Sequence, residues 1–221
     1  MADFETRFVP RYRVPCTTGW PEIDKLCGGG LGKSELGVVI APTGAGKSMA
    51  LVHLGTQAIK EGKTVIHYTL ELQDRIIATR YDSCITGYPL SDIINFKEEV
   101  YDNIKDIDGK LIVKEYPTAS AHTAHFRGLI KELAIKKTFK PDILFVDYLN
   151  ICSSSRFKGA TNVNSYMYIK SIAEELRGLA VETNVPIMSA TQTTRSGYSN
   201  SDVGLEDTSE SFGLPATADL M

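Results

Sequence analysis

The stretch Leu36-Gly37-Val38-Val39-Ile40-Ala41-Pro42-Thr43-Gly44-Ala45-Gly46-Lys47-Ser48 opens on an apolar run and closes on glycines, a lysine and a serine. The run reads as a buried strand and the segment from Lys47 to Glu61 has helical spacing, so the glycine-rich turn joins a strand to a helix N-terminus. In that setting the segment Ala41, Pro42, Thr43, Gly44, Ala45, Gly46, Lys47, Ser48 is a phosphate-binding P-loop. Its backbone N–H groups and the positive end of the helix dipole face phosphate oxygens. Lys47 neutralises the β and γ phosphates, and the Ser48 hydroxyl is placed to ligate Mg²⁺, which takes few protein oxygens and keeps several waters. Ala41 stands where the usual pattern has its first glycine; being small, it still permits the bend from strand to loop. ATP and Mg²⁺ are the ligands expected from these residues.

Outward from the loop, Val- and Ile-rich runs alternate with helical stretches, the pattern of a mostly parallel α/β sheet with helices on its faces. Strands are expected at Leu36 to Ala41, Thr64 to Leu70, Leu111 to Glu115, Ile143 to Asp147 and Pro186 to Thr191. Helices are expected at Lys47 to Glu61, Gln73 to Thr86, Thr123 to Lys137 and Ser165 to Thr183, with one more over Ser91 to Asn103 because Ile93, Ile94, Phe96 and Val100 recur at helical spacing. Cys152 to Asn164 and Thr193 to Thr208 read as irregular, and both follow strand ends. Open α/β sheets bind ligands beyond the carboxyl ends of their strands, so these loops are placed for function.

Three further residues complete the expected site. Asp147, at the end of the apolar strand Ile143 to Asp147, is the carboxylate that holds metal-bound water. Tyr148 follows it, so no second acid stands on that strand, and Glu71 is expected to be the general base. Glu71 lies just past the strand Thr64 to Leu70, read as the neighbour of the P-loop strand in a sequential βαβ unit. Gln192 follows the last strand and presents a neutral amide that senses the γ-phosphate, whose loss would free the next loop to move.

Composition bounds the class. A chain of 221 residues suffices for one α/β core. With 43% hydrophobic and 23% charged residues it has the balance of a globular protein. No apolar run approaches the ~18 residues of a membrane span. The N-terminus carries both signs of charge and no apolar core of a signal peptide, so a cytoplasmic location is expected. Cys16, Cys27, Cys84 and Cys152 form no C-x-x-C pair and read as ordinary thiols. His122 and His125 have no evident third ligand and are expected to face solvent. A net charge of −3 means that any nucleic-acid affinity must come from local basic clusters.

Thr18-Gly19-Trp20-Pro21-Glu22-Ile23-Asp24-Lys25-Leu26 with Gly28-Gly29-Gly30-Leu31, the P-loop, Leu70-Glu71-Leu72, Asp147 and Ala190-Thr191-Gln192 together resemble the RecA-fold ATPase domain of DnaB-type replicative helicases. Within that family the tail Gln192 to Gly197 and Asp207 to Asp219 is most similar to the helicases of T-even and related phages. The likeness runs from about residue 14 to the end. It implies a RecA-type P-loop fold and a hexameric ring that binds ATP between subunits, translocates on single-stranded DNA and separates the duplex. A primase and a helicase loader are the implied partners, and a bacterial host's cytoplasm the location if the chain is phage-encoded.

The resemblance further implies that residues 1–14 are the remnant of an N-terminal linker, that 15–221 form the ATPase core, and that an arginine finger lies beyond Met221. Such a finger is worth roughly 10³ to 10⁵ in rate, so weak hydrolysis is expected of this chain alone. The loops after the Asp147 and Gln192 strands line the channel in the resembled family; here they offer Arg156, Lys158 and Arg195 to the DNA backbone. Two other readings compete: a filament-forming RecA-fold recombinase, and a small-molecule P-loop kinase. The kinase would need an arginine-bearing lid and an acceptor pocket, neither of which is legible.

Overall fold

The computed structural model describes residues 13–157, 164–193 and 213–221. Five strands form one parallel sheet: β1 (Leu36–Ala41), β2 (Thr64–Thr69), β3 (Lys110–Glu115), β4 (Ile143–Asp147) and β5 (Ile187–Gln192). The main helices are α1 (Pro21–Leu26), α2 (Lys47–Lys60), α3 (Asp74–Thr86), α4 (Lys97–Ile104), α5 (Thr123–Lys137) and α6 (Ser165–Thr183). The strand order is β1-β5-β4-β2-β3.

That order corrects the expectation for Glu71. The β2 strand is not the neighbour of β1, because β5 and β4 lie between them. The burial pattern gives the reason. All five residues of β4 and the first five of β5 are buried, whereas β3, with Lys110, Lys114 and Glu115 exposed, can only stand at an edge. Strands covered on both faces read as continuous apolar runs, and these take the centre.

Alternate residues of each strand serve opposite cores. Leu144 and Val146 point to the layer of α5 and α6, where Phe126, Ile172, Leu176 and Leu179 cover them. Ile143 and Phe145 point to α2 and α3 and meet Leu51, Ile59, Ile77 and Tyr81. Helices therefore cover both faces of the sheet, as the pattern predicted. The expected helix over Ser91 to Asn103 is instead a 3₁₀ turn, Ile93–Phe96, running into α4. Ile93 is buried and Ile94 is 84% exposed, so one continuous helical face is not what these residues serve.

The Thr18 to Leu31 stretch folds around Asp24. Its carboxylate accepts from the Thr18 amide and the Thr18 hydroxyl, both at 2.8 Å, and from the Thr17 hydroxyl. Gly30 has φ +110°, and a Cβ there would lie 1.9 Å from the Cys16 carbonyl oxygen, so glycine is what allows the Cys16–Leu31 bridge to close. Beside β1, the Val38 amide donates to the Leu220 carbonyl at 2.8 Å.

Candidate functional site at the carboxyl rim

The glycine-rich turn leaves β1 and enters α2 at the carboxyl rim of the sheet. Gly46 is the residue before the helix and has φ +95°, and Gly44 has φ +80°. Both conformations are costly for any residue with a Cβ. Gly46 also brings no side chain to cap α2, so the first-turn amides keep their hydrogen-bonding capacity for an outside acceptor. Thr43 to Gly46 are exposed, which leaves that acceptor site open to solvent.

Lys47 is buried and reaches back over the loop. Its Nζ donates to the Pro42 carbonyl at 3.0 Å and lies 5.7 Å from the centroid of the Tyr148 ring. Burial holds its pKa below the ordinary lysine value, against the raising influence of the Glu71 and Asp147 carboxylates.

Asp147 has no solvent exposure, and neither carboxylate oxygen has a hydrogen-bond partner. The Ser48 hydroxyl is close enough to favour its ionised form, but the contact lacks the geometry of a hydrogen bond. Burial dominates and raises the Asp147 pKa; Glu71 raises it further, and Arg80 and Lys47 pull the other way. A buried carboxylate with two idle oxygens beside a P-loop serine suits a hydrated hard cation, because an anion left without donors or counter-ion is expensive.

Glu71 is exposed just beyond β2, and the register brings it near. Thr69 is the β4 partner of Asp147, and the Leu70 amide donates to the Asp147 carbonyl at 2.9 Å. The turn carrying Glu71 is pinned at both ends: Thr69 Oγ1 donates to the Leu72 carbonyl at 2.7 Å, and Thr118 Oγ1 to the Leu70 carbonyl at 2.7 Å. The Glu71 charge is felt by Lys47, Asp147 and Tyr148.

Gln192 is the register partner of Ala41, so the last strand ends level with the start of the P-loop. Its Nε2 donates to the Tyr148 hydroxyl at 2.9 Å. Sequence reading valued Tyr148 only for the acid it replaced; here its ring faces Lys47 and its hydroxyl holds Gln192. Arg80, on α3, was also missed, and its charge acts on Asp147. An isolated tyrosine or a helical arginine carries no motif that would have marked either residue.

Among the expected nucleic-acid contacts, Arg156 is exposed and paired with Glu174 of α6. Lys158 and Arg195 lie outside the described residues. His122 does not face solvent as expected. It is buried at the start of α5, where its Nδ1 accepts from the Ala124 amide at 3.2 Å, while His125 Nδ1 accepts from the His122 amide. The pair caps a helix, the use that a donor-rich helix start makes of any nearby acceptor. No cluster of three or more His, Cys, Asp or Glu poised for a metal occurs among the described residues. No described helix is long and apolar enough to cross a membrane.

A parallel sheet ordered β1-β5-β4-β2-β3, with a P-loop at its carboxyl rim, defines a RecA-type P-loop ATPase fold. The chain belongs to the family of the DnaB-like helicase C terminal domain, whose model matches residues 16–221. It is 39% identical over 208 residues to the DnaB-like replicative helicase of Enterobacteria phage T4, covering 90% of this chain and 43% of the relative. It is 26% identical over 238 residues to the replicative DNA helicase DnaB of Mycoplasma pneumoniae, covering 98% and 49% of the two chains. A DnaB-like replicative helicase solved in a study of its interactions with primase superposes with a TM-score of 0.77 at 17% identity, over 97% of this chain and 54% of that one. An ATPase domain of known structure also gives 0.77 at 17% identity, over 97% and 77%. The chain spans about half the length of the curated relatives it matches. These relatives do not favour the recombinase alternative.

Proposed function

We propose that this chain is the ATP-driven motor domain of a replicative DNA helicase, acting as part of a hexameric ring that moves on single-stranded DNA and separates the duplex. The observation that carries the reading is the pair of unpartnered, fully buried Asp147 oxygens beside Ser48 and Lys47 at the mouth of the P-loop. Residues 15–221 act as the ATPase core, and a primase and a loader are the expected protein partners.

The loop amides bind the phosphates and Lys47 offsets charge on the β and γ groups. Ser48 and Asp147 would hold Mg²⁺, which supplies charge neutralisation across those oxygens when bound. Glu71 orients the attacking water and takes its proton as the water oxygen bonds to the γ-phosphorus and the bond to the β–γ bridging oxygen breaks. Gln192 reads the γ-phosphate, and Arg156, Lys158 and Arg195 contact the DNA backbone without regard to sequence.

Negative-stain microscopy with an ATP analogue and single-stranded DNA, on the protein extended to the length of its relatives, tests the assembly. Closed six-membered rings are expected; open filaments would reinstate a recombinase. Lys47→Ala should abolish binding of a fluorescent ATP analogue, and retention of wild-type affinity would refute the phosphate site.

A further inference from the structure

The loop that leaves β4 is fastened to α6 by two adjacent carboxylates of unlike character. Glu175 collects the more hydrogen bonds. It accepts from the Ser154 hydroxyl at 2.6 Å, the Ser155 amide at 3.0 Å, the Ser155 hydroxyl at 2.9 Å and Thr123 Oγ1 at 3.2 Å. Ser154 Oγ lies 3.0 Å from Ser171 Oγ, and the Ser154 amide donates to the Tyr168 hydroxyl at 3.1 Å. Behind these contacts the Ser153 amide donates to the Ala121 carbonyl at 2.8 Å, so the root of the loop is also tied to the start of α5. One residue earlier on α6, Glu174 holds Arg156, but those side chains are 36% and 53% exposed.

A carboxylate that collects four donors from two neighbouring segments fixes geometry, whereas an exposed ion pair is held weakly and exchanges readily. We infer that Glu175 is a positioning residue that sets where Arg156 meets single-stranded DNA, and that Glu174 is the resident counter-ion which a backbone phosphate displaces. Glu175 touches no nucleic acid in this scheme; it acts through Ser154 and Ser155. The inference rests on the proposed reading of Arg156 as a DNA contact. Burial is the largest single influence on Glu175 and raises its pKa, but donation from Ser154, Ser155 and Thr123 together outweighs it and leaves the pKa lowered, as befits a carboxylate that stays charged in its socket.

The two carboxylates predict opposite results. Binding of a fluorescein-labelled oligothymidylate, followed by anisotropy with a non-hydrolysable ATP analogue present, should weaken in Arg156→Ala. In Glu174→Gln it should tighten by about two- to fivefold, since a weak competitor for Arg156 is gone. In Glu175→Gln it should weaken by about tenfold through loss of charge-assisted bonds, with affinity for the fluorescent ATP analogue unchanged. Hydrogen exchange across residues 153–156 should accelerate in the same variant. Ser155→Ala, at an exposed position, should move affinity and exchange in the same direction by less. Wild-type affinity in Arg156→Ala would overturn the DNA reading of this loop and the inference with it. Weakened binding in Arg156→Ala beside wild-type affinity and exchange in Glu175→Gln, or weakened binding in Glu174→Gln, would overturn the inference alone.

Discussion

Gln192 Nε2 donates to the Tyr148 hydroxyl at 2.9 Å, joining the end of β5 to the residue that follows the buried acid of β4. The aromatic ring and the hydroxyl of Tyr148 are separable, since the ring lies against Lys47 and only the hydroxyl meets Gln192. Tyr148→Phe should therefore keep nucleotide affinity within about twofold. It should reduce the stimulation of ATP hydrolysis by single-stranded DNA by roughly fivefold, the worth of one hydrogen bond. Steady-state hydrolysis with and without oligonucleotide checks this, and unchanged stimulation would show that this hydrogen bond does not serve the γ-phosphate sensing proposed for Gln192.

Glu71→Gln keeps the shape of the side chain but gives up its basicity. Nucleotide binding should persist while turnover falls by roughly 10² to 10⁴. Normal turnover in this variant, compared under the same conditions as the wild type, would show that another group takes the proton from water.

Asp147 predicts a conflict between stability and activity. Its pKa is raised in the folded protein, so the fold disfavours its ionised form. The resulting cost is present when pH is above the folded value and disappears as pH falls below the ordinary value of 3.8. Asp147→Asn should thus unfold a few degrees higher than the wild type at neutral pH without nucleotide, with the gap closing in acid. For a chain of this size ~1 kcal/mol corresponds to roughly 2–4 °C. The same variant should lose roughly 10² in Mg²⁺-dependent hydrolysis. A melting point lowered at pH 7 would contradict the unpartnered state of the two oxygens.

His67 sets an acid limit to the fold. It is fully buried between Phe145 and Tyr81, its Nδ1 lies 3.0 Å from the Tyr81 hydroxyl, and burial lowers its pKa to about 3. The unfolded chain takes up a proton near the ordinary value of 6.5, which the folded chain refuses until about 3. Stability should therefore be greatest above pH 6.5 and decline as pH drops through that window. His67→Gln should be less stable at pH 7.5 yet show a flatter melting profile between pH 6.5 and 4. An equally steep decline in the variant would assign the acid sensitivity elsewhere.

The parts legible in the sequence were those that local chemistry sets. The apolar runs Leu36–Ala41 and Ile143–Asp147 matched the observed strands to the residue, because each ends where turn residues or a charge begin. The P-loop was legible because its glycines must adopt positive φ and its lysine must follow them. Strand order was not legible: an apolar run says that both faces are covered, not which strand lies beside it, and Glu71 was placed by the wrong neighbour. It still stands near Asp147, because β2 and β4 pair in register. Glu175 was equally invisible, since its meaning comes from three hydroxyl-bearing residues that only the fold brings to it.

The position of β5 carries a mechanical consequence. It pairs on one flank with β1, which delivers the P-loop, and on the other with β4, which delivers Asp147. Its pairing with β4 ends at Ser189, so a pull on its tip at Gln192 passes first to Ala41 of β1, at the start of the P-loop, and reaches β4 only lower down. On the function proposed above, nucleotide chemistry and hold on DNA would share this one strand as their common support.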